Sequence, residues 1–270
     1  MKLLVCIKAV PEPEHAIHSS PGGITVCVDS GTELRMSRFD EFAVEEAVLI
    51  REKFPETTVD VITVGPENAR KIIRRAMGMG ADNGIHIVSN YPASCDAVTV
   101  SKGISDFARK KNYTLILCGI MSEDMMQFST GPMIAGRLSI VWATSVVRAE
   151  PDPKKQKIRV ERELEGGVKA IAEMGLPALL TIQSGINEPR YPSLSNLLRA
   201  NKAELHVIAP NDTANDTAGD LPGTPLLCET VRYAYPEKKR AGRVLTGTPG
   251  EKAESLYRIL WNKGFFKRGN

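Results

Sequence analysis

The chain has 270 residues, 42% of them hydrophobic and 25% charged, which reads as soluble and globular rather than disordered or fibrous. A net charge of +3 is too small to argue for a nucleic-acid partner. No apolar run approaches the roughly 18 residues needed to span a bilayer.

The opening MKLLVCIKAV carries Lys8 inside a short apolar run, so it reads as a first strand rather than a secretory signal, and a cytoplasmic location is expected. Residues 11–23, rich in proline and glycine, read as loop. Residues 24–28 alternate as a strand and are expected to pair as a hairpin with the stretch near Leu34. Residues 39–53 predict a helix with Ala43, Val44, Ala47, Val48 and Ile50 as its apolar stripe, Glu45, Glu46, Arg51 and Glu52 outside, and Asp40 as N-cap. A strand over 58–64, a helix over 67–79, a strand over 84–88 and a helix over 96–111 follow. Strands alternating with helices of this length predict a parallel, doubly wound sheet.

The stretch 112–138 then carries the strongest local signal. Tyr113 to Cys118 has the unbroken apolar run of a strand buried on both faces. Gly119 ends it, a polar loop follows, and Gly131-Pro132 opens a helix. The first N–H groups of a helix have no intrahelical partner and the helix dipole is positive there, so such a corner suits a phosphate. An ordinary βα turn is the plainer reading of the same residues.

Beyond it, residues 158–164 and 169–174 flank Gly166-Gly167 as a hairpin, residues 176–183 form an apolar strand, and residues 192–200 a short helix. Residues 211–225 have linker composition. Residues 231–235 suggest a short strand and 238–243 a solvated basic stretch. Residues 251–263 form an amphipathic helix with Ala253, Leu256, Tyr257, Leu260 and Trp261 on one face, behind a Thr248-Pro249 start signal. The expected organisation is an α/β nucleotide-binding domain over 1–210 and a linker with a C-terminal arm over 211–270, whose helix needs a partner surface, preferably on a second chain.

Catalytic chemistry is hard to place. Cys6, Cys27, Cys95, Cys118 and Cys228 form no CxxC pair, and Cys6 and Cys118 read as small core residues. The four histidines are scattered without metal-ligand spacing and read as surface or strand-edge residues. Neither a GxSxG elbow nor a GxxxxGK[ST] loop occurs. The sequence thus presents no catalytic constellation of its own.

Several runs resemble one family. MKLLVCIKAVP, SRFDEFAVEEAVLIREK, AMGMGAD, VERELEGG followed by LPALLT, and above all NEPRYPSLSNLLRA are similar to signatures of the electron transfer flavoprotein beta subunits. The likeness covers residues 1 to about 208 and is looser in the tail. It implies a Rossmann-like, mostly parallel sheet with a C-terminal extension that wraps a partner, the alpha subunit. It also implies an FAD held mainly by that alpha subunit, and electron traffic with a flavin-containing dehydrogenase, acyl-CoA-specific or similar. The beta pocket of this family holds AMP in simple carriers and a second FAD in electron-bifurcating members.

Mapped here, the resemblance assigns cofactor binding to Cys6, to Ser37, Arg38, Phe39 and Asp40, to Val64, and to Thr99. It assigns the phosphate surroundings to Asp124, Met125, Met126, Gln127, Phe128, Ser129, Thr130, Gly131, Pro132 and Met133. Asp124 matches the family's acidic loop, but Met126 stands where a second acid is common. The Ser122-Glu123-Asp124 triplet resembles the bifurcating branch, which favours a second FAD, with AMP the alternative. Leu194 is the expected anchor for the dehydrogenase and Glu163 a further docking residue, while Leu197 and Leu198 read as a helix core stripe. A nucleotide-binding module related to universal stress proteins is the competing reading, and the run NEPRYPSLSNLLRA speaks against it.

Overall fold

The computed structural model describes residues 1–14, 17–19, 26–28, 32–89, 97–208, 242 and 244–266. In chain order the strands are β1 (Lys2–Cys6), β2 (Ala9–Pro11), β3 (Ile17–Ser19), β4 (Val26–Val28), β5 (Leu34–Met36), β6 (Thr58–Gly65), β7 (Asn83–Val88), β8 (Leu115–Gly119), β9 (Val141–Asp152), β10 (Lys157–Glu163), β11 (Lys169–Gly175), β12 (Ala178–Ile182) and β13 (His206–Ile208). The helices are α1 (Arg38–Lys53), α2 (Arg70–Met79), α3 (Ala97–Ala108), α4 (Thr130–Leu138), α5 (Leu194–Lys202) and α6 (Pro249–Asn262).

Among the described residues one nine-stranded sheet runs β11-β10-β9-β12-β8-β1-β6-β7-β13. From β9 to β13 every pairing is parallel, and β10 and β11 extend the β9 edge antiparallel. This is the expected doubly wound, Rossmann-like α/β architecture. The period of two along β1 sorts its side chains onto the two faces. Leu3 and Val5 join a core with α1, α2 and Ala200 of α5, whereas Leu4 and Cys6 join a second core with Ile104 of α3 and Ile134 of α4. The chain proceeds outward from β1 through β6 to β7, then returns to β8 on the other side of β1. The carboxyl ends of β1 and β8 therefore flank a topological switch point, the place where open α/β sheets bind ligands.

Several expectations are corrected. The strand around Val26–Val28 pairs with β3, while β5 pairs with β2, so the anticipated hairpin between 24–28 and Leu34 does not form. β9, twelve residues long, has no counterpart in the sequence reading: its stretch VWATSVVRAEPD mixes polar and apolar residues without the run or alternation that marks a strand. His86 is fully buried on β7, its Nε2 lying 3.1 Å from the Gly65 carbonyl oxygen, rather than at a surface or edge. Glu45 and Glu46 are buried as well, although α1 was expected to turn them outward. The residues expected as linker (211–225), strand (231–235) and most of the basic stretch 238–243 lie outside the described residues.

The chain divides into two compact units, Met1–Tyr233 and Ala234–Asn270. In the second, Thr248 caps α6 through a capping box with Glu251, and Pro249 occupies the first turn. Tyr257, Trp261 and Phe266 form an aromatic cluster with ring centroids 5.6–5.8 Å apart. None of the α6 side chains is buried. No helix of the described residues is long and apolar enough to cross a membrane.

Candidate functional site

An open cleft lies at the switch point, with about 1080 Å³ of unfilled space counted out to its mouth. Its floor is Cys6 and Cys118, directly paired across β1 and β8. Desolvation raises both thiols well above the usual range, and for each the nearby Asp40 adds to the effect. They are neutral packing groups, as the sequence suggested, and not thiolate nucleophiles.

Two helices press their first turns onto the strand ends, and in each case a glycine permits the approach. A Cβ on Gly119 would fall 2.6 Å from Asp40 Oδ1 and from Phe39 Cβ, in the first turn of α1. A Cβ on Gly131 would fall 2.7 Å from Thr181 Cγ2 and 2.8 Å from Cys118 Sγ, which would push α4 off the sheet. Asp40 does not cap α1, since Ser37 holds that position and makes no side-chain cap. Its carboxylate instead accepts the backbone N–H of Lys8 at 2.7 Å and of Gly119 at 3.0 Å, clipping the ends of β1 and β8 together. Burial dominates over these donors and pushes the Asp40 carboxyl up to about 7.

The loop from β8 to α4 supplies the remaining wall. Its two acids are both engaged. Glu123 accepts the Arg38 N–H at 2.8 Å, the first free donor of α1, and pairs with Arg35 at 2.9 Å. Asp124 receives the Lys8 ammonium at 2.6 and 2.7 Å, with Ser122 Oγ at 3.4 Å. The start of α1 is thereby neutralised. The start of α4 is not: Ser129 makes no side-chain cap, and Ser129, Thr130 and Gly131 line the cleft. Pro132, third in the helix, removes a donor that would in any case lack an intrahelical acceptor. An anion entering the cleft meets the positive end of α4.

Of the residues assigned from sequence, Cys6, Asp40, Val64, Met125, Gln127, Phe128, Ser129, Thr130 and Gly131 line the cleft together. Ser37 is buried beside it with its hydroxyl unpartnered, Arg38 is exposed, and Phe39 packs over Gly119. Asp124 is not in the wall but pairs with the lining residue Lys8. Thr99 lies in the first turn of α3, next to the lining residues Ala97 and Val100. Met126 and Met133 are exposed and Pro132 half-buried, none of them in the wall. Met126 and Phe128 both hold left-handed backbone (φ 50° and 56°), an uncommon conformation for such side chains. Lys8 is the charged lining residue that the sequence reading missed. A lysine closing an apolar strand run reads as a strand end, and only its distance of two residues past Cys6 could have flagged it.

A second region stands on the face of the sheet that α1 and α2 cover. The segment 187–198 crosses α1 and enters α5, and Leu194, at its first residue, is 74% exposed. Leu197 is half-buried, with Gly78 of α2 so close that a Cβ there would lie 2.8 Å from Leu197 Cδ2. Leu198 is 54% exposed, a correction to the core-stripe reading: successive helical residues point about 100° apart, and Leu197 is the one turned to Gly78. Glu163 is exposed at the end of β10 and accepts from Gln183 Nε2 at 3.3 Å.

The family model described as "Electron transfer flavoprotein domain" matches residues 24–213. The chain belongs to the electron transfer flavoprotein family. It is 32% identical over 261 residues to the electron transfer flavoprotein subunit beta of Bacillus subtilis, covering 96% of this chain and 97% of that one. The mitochondrial electron transfer flavoprotein subunit beta of Oryza sativa subsp. japonica is 32% identical over 248 residues, 91% and 94% of the two chains. The human electron transfer flavoprotein subunit beta is 34% identical over 224 residues, 82% and 86%. These similarities run along nearly the whole chain, which matches the sequence-based identification with beta subunits and sets aside the universal-stress reading.

Proposed function

We propose that this chain is the beta subunit of a heterodimeric electron transfer flavoprotein, pairing with an alpha subunit and passing electrons between a flavin-containing dehydrogenase and another carrier. The observation that carries the reading is the cleft at the β1/β8 switch point, with the uncapped start of α4 opening into it. Ser129, Thr130 and Gly131 would hold a nucleotide phosphate, with Asp40 fixing the strand ends beneath it and Lys8 supplying a cation once released from Asp124. Ala97, Val100 and Ile104 of α3 give the cleft an apolar wall suited to an adenine.

The nucleotide in this pocket is a second FAD, and the protein works by flavin-based electron bifurcation. Favouring FAD over AMP, the lining continues past the α4 start into Leu34, Ile120, Met121, Met125 and Phe128, an apolar stretch that a monophosphate would leave uncovered. The flavin, when bound, supplies the redox chemistry, while this chain's residues bind, orient and exclude water. Exposed Leu194 is the docking contact for the dehydrogenase, with Glu163 a secondary one, and the amphipathic face of α6 docks on the alpha subunit within an arm spanning 211–270.

Co-expression with the alpha subunit and a count of nucleotides released on denaturation tests this reading. Two FAD per heterodimer is the expected result. One FAD with one AMP makes the protein a simple carrier, and a colourless monomer overturns the assignment altogether.

A further inference from the structure

Helix α1 carries more than the cleft. Its first turn supplies Asp40, and its later turns hold the segment that leads to Leu194. Arg190 lies over α1 with its guanidinium forked on Glu45, Nε 2.9 Å and Nη2 2.8 Å from the carboxylate oxygens, while its backbone N–H donates to the same group at 3.1 Å. Nη1 reaches Glu52, one helical stretch further on, at 2.6 Å. Three residues earlier, Asn187 Nδ2 donates to the Phe42 carbonyl at 3.1 Å and to Glu46 at 3.0 Å. The far end is held as firmly: Pro192 and Leu197 sit against Gly78, Ser193 caps α5, and Arg74 donates to the carbonyls of Ala200 and Ala203.

Between these anchors the chain exposes Tyr191 (88%), Leu194 (74%) and Leu198 (54%). Leu194 and Leu198 are four apart and share one face of α5. The Glu45 side chain is only 4% exposed, and a carboxylate so placed is costly unless forked as it is here. A well-packed apolar pair would hold the segment as stably, so what the charged fork adds is direction.

We propose that Arg190 is the positioning residue of the docking surface, locking segment 187–198 onto α1 so that Tyr191, Leu194 and Leu198 are presented pre-formed to an apolar recess on the partner dehydrogenase. The proposal rests on the docking role assigned to Leu194. A segment already fixed in its bound shape loses little freedom on association, so the clamp acts on the encounter and not on the electron-transfer step. Because α1 is one helix of about 24 Å, the same clamp fixes the distance from the docking leucine to the cleft.

The test uses the co-expressed heterodimer, with an acyl-CoA dehydrogenase as electron donor and flavin bleaching as readout. Arg190→Lys keeps a charge over Glu45 but loses the fork. It is expected to raise the KM for the flavoprotein by about five- to tenfold, with kcat changed less than about twofold and bound nucleotide unchanged. Hydrogen exchange of 187–193 should quicken. Unchanged KM or unchanged exchange in Arg190→Lys overturns the clamp. Leu194→Ala and Leu198→Ala should each raise KM without altering that exchange. If Leu194→Ala raises KM and Arg190→Lys does not, the docking surface stands and the clamp falls. If Leu194→Ala leaves KM untouched, or the wild-type heterodimer takes no electrons from this donor, the docking reading itself is overturned.

Discussion

Asp124 pairs with Lys8, both carboxylate oxygens lying within 2.7 Å of the ammonium nitrogen, and Lys8 lines the cleft that suits an anion. The lysine that lines the cleft is thus already neutralised by the chain. A ligand phosphate must compete with Asp124 for it, and the competing carboxylate weakens the field that the α4 start presents.

Removing that competition should tighten binding. In a nucleotide-stripped heterodimer, Asp124→Asn is expected to bind AMP about three- to tenfold more tightly at low ionic strength, with the gain shrinking in high salt as screening grows. Lys8→Met should weaken the same titration by a similar factor. Equal affinities in all three proteins would show that the pair faces away from the ligand.

Gly131 offers a purely steric prediction. The Cβ of Gly131→Ala would meet Thr181 and Cys118 at under 3 Å, and the strand side cannot recede because β8 and β12 are paired along their length. The helix start must lift instead. A loss of about 1–3 kcal/mol is expected from overpacking, read as a lowered urea midpoint with the slope unchanged. Gly136→Ala serves as the control, since a Cβ there meets nothing within 4 Å. Ala is the better helix former, so the control should be neutral or slightly stabilised.

Asp40 gives the pH dependence. Its carboxyl rises from 3.8 to about 7 on folding, so between those values the folded chain binds more protons than the unfolded one. Stability therefore falls as pH rises through that window, by on the order of 4 kcal/mol in the limit, and is flat in this group's contribution above and below it. Asp40→Asn should remove the slope. At pH 5 the variant should be less stable than wild type, because an amide oxygen replaces only part of the two-donor clip across Lys8 and Gly119. At pH 8 the gap should narrow or reverse. Urea midpoints of both proteins at the two pH values decide it, and parallel curves would overturn the assignment.

These residues also mark how much the sequence made legible. Runs such as TVDVITV and the stripe Ala43-Val44-Ala47-Val48 announce buried strands and a core helix, because burial on a fixed period leaves a periodic trace. The corner from Cys118 to Gly131 was legible for the same reason: a strand, a glycine and a helix start are local. What stayed hidden depends on partners distant in sequence. Glu45 and Glu46 look like a solvent face until Asn187 and Arg190 arrive from more than 140 residues away. Asp40 looks like a cap until the ends of two strands approach it. Leu198 looks like core until Leu197 proves to be the leucine turned to Gly78. β9 escaped because only Ala143, Val146 and Pro151 along its twelve residues are buried, too sparse for any period to register.

The last prediction concerns α6. A capping box and an initial proline fix its start, yet Leu256, Tyr257 and Trp261 are each about half exposed and Phe265 more so. So large a run of apolar side chains along one short segment marks an interaction surface. If it docks on an alpha subunit, burying Trp261 should blue-shift its emission on heterodimer formation, and Trp142→Phe leaves Trp261 as this chain's sole tryptophan, so that the difference from a Trp261→Phe heterodimer reads its signal. Leu256→Asp places a charge in the middle of the surface. It should weaken the heterodimer by about tenfold or more, in sedimentation or by loss of co-purifying alpha subunit, while leaving the urea midpoint of the isolated chain unchanged. An intact heterodimer carrying Leu256→Asp would place the partner contact elsewhere on the chain.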